Sequence, residues 1–257
     1  MAVAGLIIAA TLGGCSPQQS EEARDRAIAE EVDAKMLGDP NYTKSLTYLR
    51  DHFPEDYSHL RSGVIERVKA YKSNKDISTF AFWSMRRFMV AHSLDFMAAR
   101  SPALGQYRTA QITLFEALQA QSTEICAYAA APTRPRTDLK LSNAAQRAGD
   151  GVLYAQLAAI VDGQTAKIHH GKPSSATYRA ATQAMLRLGM TRDDLVAASD
   201  VNSFNALPDE RKCQTAIYEL KGIDALPAAQ ADLLTVEQYR LTSAAAANSL
   251  NSAPPGL

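Results

Sequence analysis

The stretch from Ile77 to Ala99 constrains the fold most, because its apolar residues fall on every side of a helix rather than along one stripe. A helix that is apolar all round is normally surrounded by other elements. We therefore predict that this helix is a central element of the core. It is not predicted to span a membrane, because Arg86, Arg87 and Asp95 would each cost about 2.5 to 3.5 kcal/mol near the bilayer centre.

The rest of the chain also favours helices. The clearest 3.6-residue periodicity runs from Pro54 to Asn74, where one face carries Tyr57, Leu60, Val64, Val68 and Tyr71. Aromatic residues make up only 7% of the chain, alanine is abundant, and no stretch alternates as a strand would. The sequence predicts an all-α, multi-helix bundle-like domain, built as one unit or as two packed helical subdomains.

Residues 132–138 contain proline and arginine and interrupt the helical pattern. We predict a linker there, with helical subdomains over 21–131 and 139–251 and a disordered tail over 252–257. In the second half, a helix is expected from about Asp150 to His170. Thr191-Arg192-Asp193-Asp194 has the pattern of a capping box, with Asp in place of Glu.

The N-terminus carries an apolar run, Val3 to Leu12, followed by Gly13, Gly14 and Cys15. Leu12-Gly13-Gly14-Cys15 resembles the lipobox of a bacterial lipoprotein. The resemblance implies a signal peptide over 1–14, cleavage before Cys15 and a diacylglycerol thioether on the Cys15 thiol. Met1 to Leu12 carries no Lys or Arg, whereas secretory signals normally begin with a positive region; the alternative is an apolar tail with a fortuitous Gly-Gly-Cys.

The lipoprotein resemblance also implies a location. A protein anchored through Cys15 would face the periplasm of the cell envelope, and the membrane would be its first partner. Ser16 resembles the outer-membrane default of the family, which favours the outer over the inner membrane. Residues 15–20 form only a short tether, so the domain is expected close to the bilayer.

If Cys15 takes lipid, Cys126 and Cys213 remain as an even pair in an oxidising compartment. We predict a disulfide between them. The alternative is two separate buried thiols, since free cysteine packs as a small apolar residue.

Charge and motifs exclude several classes of function. Lys plus Arg and Asp plus Glu both number 27, which argues against binding of nucleic acid. The sequence contains no phosphate loop, dinucleotide turn, nucleophile elbow or Cys-x-x-Cys pair. His169 and His170 are adjacent, whereas chelation from a helix needs spacing of three or four residues. No cofactor and no metal site are predicted.

Arg86 and Arg87 are the strongest candidates for a site, because adjacent arginines in so apolar a helix cannot both reach solvent easily. Asp95 or Glu116 can supply the pairing carboxylate, and a guanidinium held in this way can instead bind an anionic ligand. Structural pairing is the simpler interpretation of these four residues.

Two functions are therefore open. The first is a lipid-anchored envelope protein, with no enzymatic activity, that binds another envelope protein. The alternative is a periplasmic enzyme or small-ligand receptor, whose pocket lies between the helix with Arg86 and Arg87 and the helix with Glu116.

Overall fold

The computed structural model describes residues 21–131 and 139–250, and the described residues form thirteen α-helices with no strand. The predicted all-α class is confirmed. The helices are α1 (Glu21–Gly38), α2 (Thr43–His52), α3 (Pro54–Lys69), α4 (Asn74–Ala91), α5 (Ser93–Met97), α6 (Ser101–Gln121), α7 (Thr123–Ala130), α8 (Asn143–Ala166), α9 (Ser175–Arg187), α10 (Arg192–Ala198), α11 (Val201–Ala206), α12 (Asp209–Asp224) and α13 (Ala228–Leu250). The predictions for the signal peptide, Cys15, the linker and the tail lie outside the described residues.

Short polar side chains set many of the helix starts, because their oxygens accept hydrogen bonds from backbone N–H groups that have no partner within the helix. The residues that cap in this way are Ser73, Ser122, Ser142, Ser174, Thr191 and Asp200. The predicted capping box is confirmed, since Thr191 and Asp194 each accept from the other's backbone N–H.

The predicted helix from Asp150 to His170 is wrong at both ends. Helix α8 begins seven residues earlier, because Ser142 accepts a hydrogen bond from the N–H of Ala145 and so caps it. It ends at Ala166, where Lys167 takes up a left-handed backbone with φ of 51°. The next backbone N–H, that of Ile168, donates to the carbonyl of Ala98 instead of continuing the helix.

The apolar stretch Ile77–Ala99 forms two helices, α4 and α5, which are separated at His92. Helix α4 packs mainly against α3 and α13, while α5 packs against α8. Helix α8 lies against α6, α5 and α2. It contributes five residues with no exposed surface, namely Ala145, Gln156, Leu157, Ala159 and Ile160. The centre of the fold is thus α8, with α5 packed against it, whereas α4 lies on α3 and α13.

One main hydrophobic core draws on both halves of the chain. It includes Val32, Val64 and Leu118 from the first half and Leu157 and Ile217 from the second. A smaller cluster, Ala181, Ile223, Ala231 and Leu234, joins α9, α12 and α13. The division at 132–138 stays a prediction, but any two subdomains share this core.

The predicted disulfide between Cys126 and Cys213 is confirmed, and it joins α7 to α12. Both residues are fully buried, and their Cα atoms are 5.2 Å apart. The two cysteines are 87 residues apart in sequence. Restricting a loop of that length in the unfolded chain stabilises the fold by about 4 to 5 kcal/mol in the chain-entropy treatment.

Gly163 allows α8 to approach α5 at backbone distance. A Cβ atom placed on Gly163 would lie 1.8 Å from the carbonyl oxygen of Asp95, which is backbone and cannot rotate away. Gly151, on the same helix, has no atom within 4 Å of the corresponding position. Packing therefore requires glycine at position 163 and not at position 151.

These two glycines give a matched test of the packing of α8. Gly163→Ala is expected to lower the free energy of unfolding by roughly 1 to 3 kcal/mol, because α5 must move away from α8. Gly151→Ala is expected to raise it by roughly 0.5 to 1 kcal/mol, because alanine reduces the entropy lost in forming the helix. Urea unfolding of both variants measures the difference, and equal effects would contradict the close packing described here.

Candidate functional site

Arg86 lies against aromatic rings. Its guanidinium carbon is 5.7 Å from the ring centroid of Phe82 and 5.9 Å from that of Trp83. Its Nε is buried and has no hydrogen-bond partner among the described residues. Burial lowers the pKa of Arg86 from its usual value, although a guanidinium remains protonated in proteins. Arg86 is therefore held by packing against the two rings.

Arg87 is exposed and lines a cavity of about 220 Å³ between α3 and α4. Asp56 and His59 of α3 and Ser84 of α4 add polar groups, while Leu49, Leu60, Met85, Phe88 and Ala91 form the apolar part. The Ser84 hydroxyl is buried and makes no hydrogen bond to any residue in the described ranges. Arg87 therefore lines a cavity that is partly polar and partly apolar.

Asp95 and Glu116 are engaged elsewhere. The Asp95 carboxylate lies 3.2 Å from Nδ1 of His92 and accepts a hydrogen bond from Gln164 of α8. Glu116 forms a 2.6 Å ion pair with Lys221 of α12. The pocket of Arg87 is therefore walled by α3 and not, as predicted, by the helix of Glu116, because α4 packs mainly on α3 and α13.

The larger concave site is a groove between α2, α6 and α8, with a volume of about 610 Å³. We call it the α2/α6/α8 groove and define it by its lining residues. These are Lys44 of α2, Gln106, Thr109, Ala110 and Thr113 of α6, and Arg147, Ala148, Gly151, Tyr154 and Ala155 of α8. Its volume lies within the range typical of ligand sites.

Asp150 holds the α2 side of the groove in place. Its carboxylate accepts hydrogen bonds from the backbone N–H of Ser45, at 3.0 Å, and from the Ser45 hydroxyl. These donors belong to the first turn of α2, whose own N-cap residue, Tyr42, provides no side-chain cap. Asp150 of α8 therefore caps α2 from another helix and fixes the position of the neighbouring Lys44.

Burial dominates the electrostatics of Asp150 and raises its pKa above the usual value of 3.8, although the hydrogen bonds from Ser45 act in the opposite direction. The carboxylate is committed to the start of α2. It is not part of the groove lining.

Tyr154 forms the base on which Lys44 rests. The Lys44 ammonium nitrogen lies 3.8 Å from the centroid of the Tyr154 ring, a cation–π contact. Tyr48 meets the same ring edge-on, with centroids 5.0 Å apart. The aromatic contacts therefore keep the lysine charge at the Tyr154 end of the groove.

A second buried polar cluster, around Arg108 of α6, is structural. Arg108 donates to Asp232 at 2.7 Å and to Thr235 at 3.2 Å, both on α13, and to Asp224 of α12 at 3.3 Å. The side chains of Arg108 and Asp232 are 7% and 5% exposed. Every charged group in this cluster already has a partner, so the cluster joins three helices.

Of the adjacent histidines, His170 makes a hydrogen bond to the backbone. His170 donates from Nε2 to the carbonyl of Ala99 at 2.8 Å, which ties the segment after α8 to the end of α5. No group of three or more His, Cys, Asp or Glu residues in the described ranges is arranged to hold a metal. No helix in these ranges is long and apolar enough to cross a bilayer.

Sequence reasoning missed the α2/α6/α8 groove because its residues come from positions near 44, 110 and 150, which no local pattern connects. The one available signal was Gly151, a glycine without any evident turn. The predicted helix start at Asp150 puts Gly151 in the first turn, whereas it lies in the third turn of α8. No known protein family, curated protein or solved structure matches the chain.

Asp150 can be tested by comparing two variants. Asp150→Ala removes the cap of α2 and is expected to lower the free energy of unfolding by roughly 0.5 to 2 kcal/mol. Asp150→Asn keeps an acceptor for Ser45 and removes the charge, so it is expected to cost less near neutral pH.

The raised pKa of Asp150 also predicts how the stability of the protein changes with pH. Because the folded pKa of Asp150 is raised above 3.8, its stabilising contribution is complete below pH 3.8 and is lost as the pH rises through the folded pKa. Urea unfolding at about pH 4 and pH 7 should therefore show a larger loss in the natural protein than in Asp150→Asn. Identical losses would show that Asp150 ionises as freely in the folded as in the unfolded chain.

Proposed function

We propose that this chain is a lipid-anchored protein of the cell envelope that binds another envelope protein in the α2/α6/α8 groove. The observation that carries the proposal is the groove itself, about 610 Å³ in volume and bordered by three helices. Its walls carry amide, hydroxyl and cationic groups, which can form hydrogen bonds and ion pairs with the surface of a partner protein. This function is a binding function and needs no chemical step.

The anchor in this proposal rests on the sequence Leu12-Gly13-Gly14-Cys15 and its resemblance to a lipobox. Residues 16–20 separate Cys15 from the start of α1 at Glu21, so a lipid on Cys15 would hold the domain near the bilayer. Stable anchoring needs two lipid signals, which a triacylated cysteine would provide. Ser16 favours the outer membrane as the site of anchoring.

Site-directed photo-crosslinking in living cells tests the binding site. A benzophenone amino acid at Thr109, in the groove, is expected to give a discrete crosslinked species with another envelope protein. The same amino acid at Arg179, an exposed residue of α9 outside the groove, serves as the control. Equal crosslinking from both positions, or none from Thr109, would count against the groove as the binding site.

The anchor is tested separately by Cys15→Ser. The natural protein, extracted from membranes, is expected to show the mass of a chain cleaved before Cys15 and carrying lipid. The serine variant is expected to carry no lipid and to have its signal peptide uncleaved or cleaved elsewhere. If the natural protein were unprocessed and carried no lipid, the proposed anchor and the proposed location in the cell envelope would both be wrong.

The cavity between α3 and α4 favours a second candidate function, that of a small-ligand receptor. Arg87 supplies a positive charge, and the buried hydroxyl of Ser84 has no described partner. Because Asp56 also lines this cavity of about 220 Å³, the anion that suits it best is a small one that retains a proton, such as phosphate, which can accept from Arg87 and donate to Asp56.

Thermal unfolding with inorganic phosphate or citrate tests this second candidate. Either anion is expected to raise the melting temperature of the natural protein and of Lys75→Gln, an exposed cation in the first turn of α4. Arg87→Gln is expected to lose this shift while still unfolding cooperatively. The receptor hypothesis fails if neither anion shifts the natural protein, or if Arg87→Gln responds equally.

A further inference from the structure

We propose that the α2/α6/α8 groove recognises an extended acidic peptide segment, with two carboxylates about 10 Å apart that pair with Lys44 and Arg147. This inference rests on the proposed binding function and names the chemistry of the bound segment.

The charge of the groove points to an acidic ligand. Lys44 and Arg147 are both exposed, and neither forms an ion pair with a residue in the described ranges. The lining contains no carboxylate. The nearest acid in sequence, Asp150, has its carboxylate bound to Ser45 at the start of α2. Two positive charges therefore face the groove with no negative charge in its walls.

The positions of the two charges set the spacing. Arg147 and Tyr154 are seven residues apart on α8, which corresponds to about 10.5 Å along a helix that rises 1.5 Å per residue. Because the Lys44 ammonium lies over the Tyr154 ring, the two charges mark opposite ends of the groove. A segment in the extended polyproline II conformation rises about 3.1 Å per residue and has three residues per turn, so the side chains of residues i and i+3 lie on the same side, about 9.3 Å apart. Acidic residues at positions i and i+3 of such a segment match the distance between the two charges.

The floor of the groove allows close approach of a backbone. It is made of Ala110, Ala148, Gly151 and Ala155, whose side chains are the smallest available. Gly151 lies inside α8, where glycine is unfavourable by about 0.5 to 1 kcal/mol relative to alanine. Internal packing does not explain it, since a Cβ atom there would meet nothing within 4 Å. Close approach of the backbone of another chain would explain why position 151 is a glycine.

The α6 wall supplies partners for peptide groups. Gln106, Thr109 and Thr113 lie on one face of α6 with spacings of three and four residues, and all are exposed. The Thr113 hydroxyl donates to the carbonyl of Thr109, which leaves its oxygen as an acceptor. An amide and hydroxyls can therefore bind the N–H and C=O groups of an extended segment, while Lys44 and Arg147 bind its carboxylates.

Binding of synthetic peptides to the full-length protein in detergent tests the inference. The probe is the peptide Gly-Glu-Ala-Gly-Glu-Gly with blocked termini and a neutral fluorescent label, followed by fluorescence anisotropy. The control peptides replace both glutamates by glutamine, or place the two glutamates next to each other. Both controls are expected to bind more weakly than the probe. Higher salt is expected to weaken binding of the probe, because it screens the ion pairs.

Variants of the protein locate the site. The double variant Lys44→Gln/Arg147→Gln is expected to bind the probe about tenfold more weakly, from the loss of two partly exposed ion pairs. Arg179→Gln, which removes an exposed charge of α9, is expected to bind normally. Gly151→Leu keeps both charges but fills the floor, and it is expected to abolish binding while the fold still melts cooperatively. Equal binding of the glutamine peptide, or unchanged binding by the double variant or by Gly151→Leu, would overturn the inference.

Repeating the crosslinking from Thr109 separates this inference from the proposed function. Loss of the crosslinked species in Lys44→Gln/Arg147→Gln supports recognition by charge. Persistence of the crosslink in that variant overturns the acidic segment while leaving the groove as a binding site. A natural protein that gives no crosslink from Thr109 overturns the proposed function itself.

Discussion

The packing of α8 is the constraint on which the rest of the structure depends. At Gly163 its backbone meets the backbone of α5 directly, and Leu157 and Ile160 lie fully buried in the main core. Its polar contacts extend the same role, since Gln156 donates to the hydroxyl of Tyr239 at 2.7 Å and so reaches α13. Because α8 organises the core on these faces, its remaining face, at Gly151, is left to form the floor of the groove.

Arginine–aspartate pairs connect helices that are distant in sequence. Arg61 of α3 pairs with Asp33 of α1, and Arg211 of α12 pairs with Asp194 of α10. Arg100, which precedes α6, pairs with Asp162 of α8. Arg108 of α6 pairs with Asp232 of α13. Exposed pairs of this kind contribute little stability. Breaking the buried pair of Arg108 and Asp232 would instead leave an uncompensated charge inside the protein. These pairs define relative helix positions.

Local sequence patterns were sufficient to predict part of the fold but little of the candidate site. The Thr191 capping box and the start of α3 at Pro54 depend on neighbours within a few residues, so both could be read from the sequence. The start of α8 at Asn143 was missed by seven residues, although Ser142 caps the helix there. Arg87 was predicted to line an interhelical pocket and lines the cavity between α3 and α4, but the helix facing it was not predicted, because the partner of a helix face depends on the packing of the whole chain.

The sequence by itself determined the helical class, through periodicity and the absence of strand alternation, and it identified Cys126 and Cys213 as a pair, because the lipobox resemblance accounted for the third cysteine. Only the tertiary structure decided that Asp150 caps α2, that Lys44 rests on Tyr154, and that both border one groove with Arg147. The physical reason is distance along the chain. Helix formation is governed by contacts three and four residues apart, whereas the groove joins residues about a hundred positions apart that meet only when α2, α6 and α8 pack together.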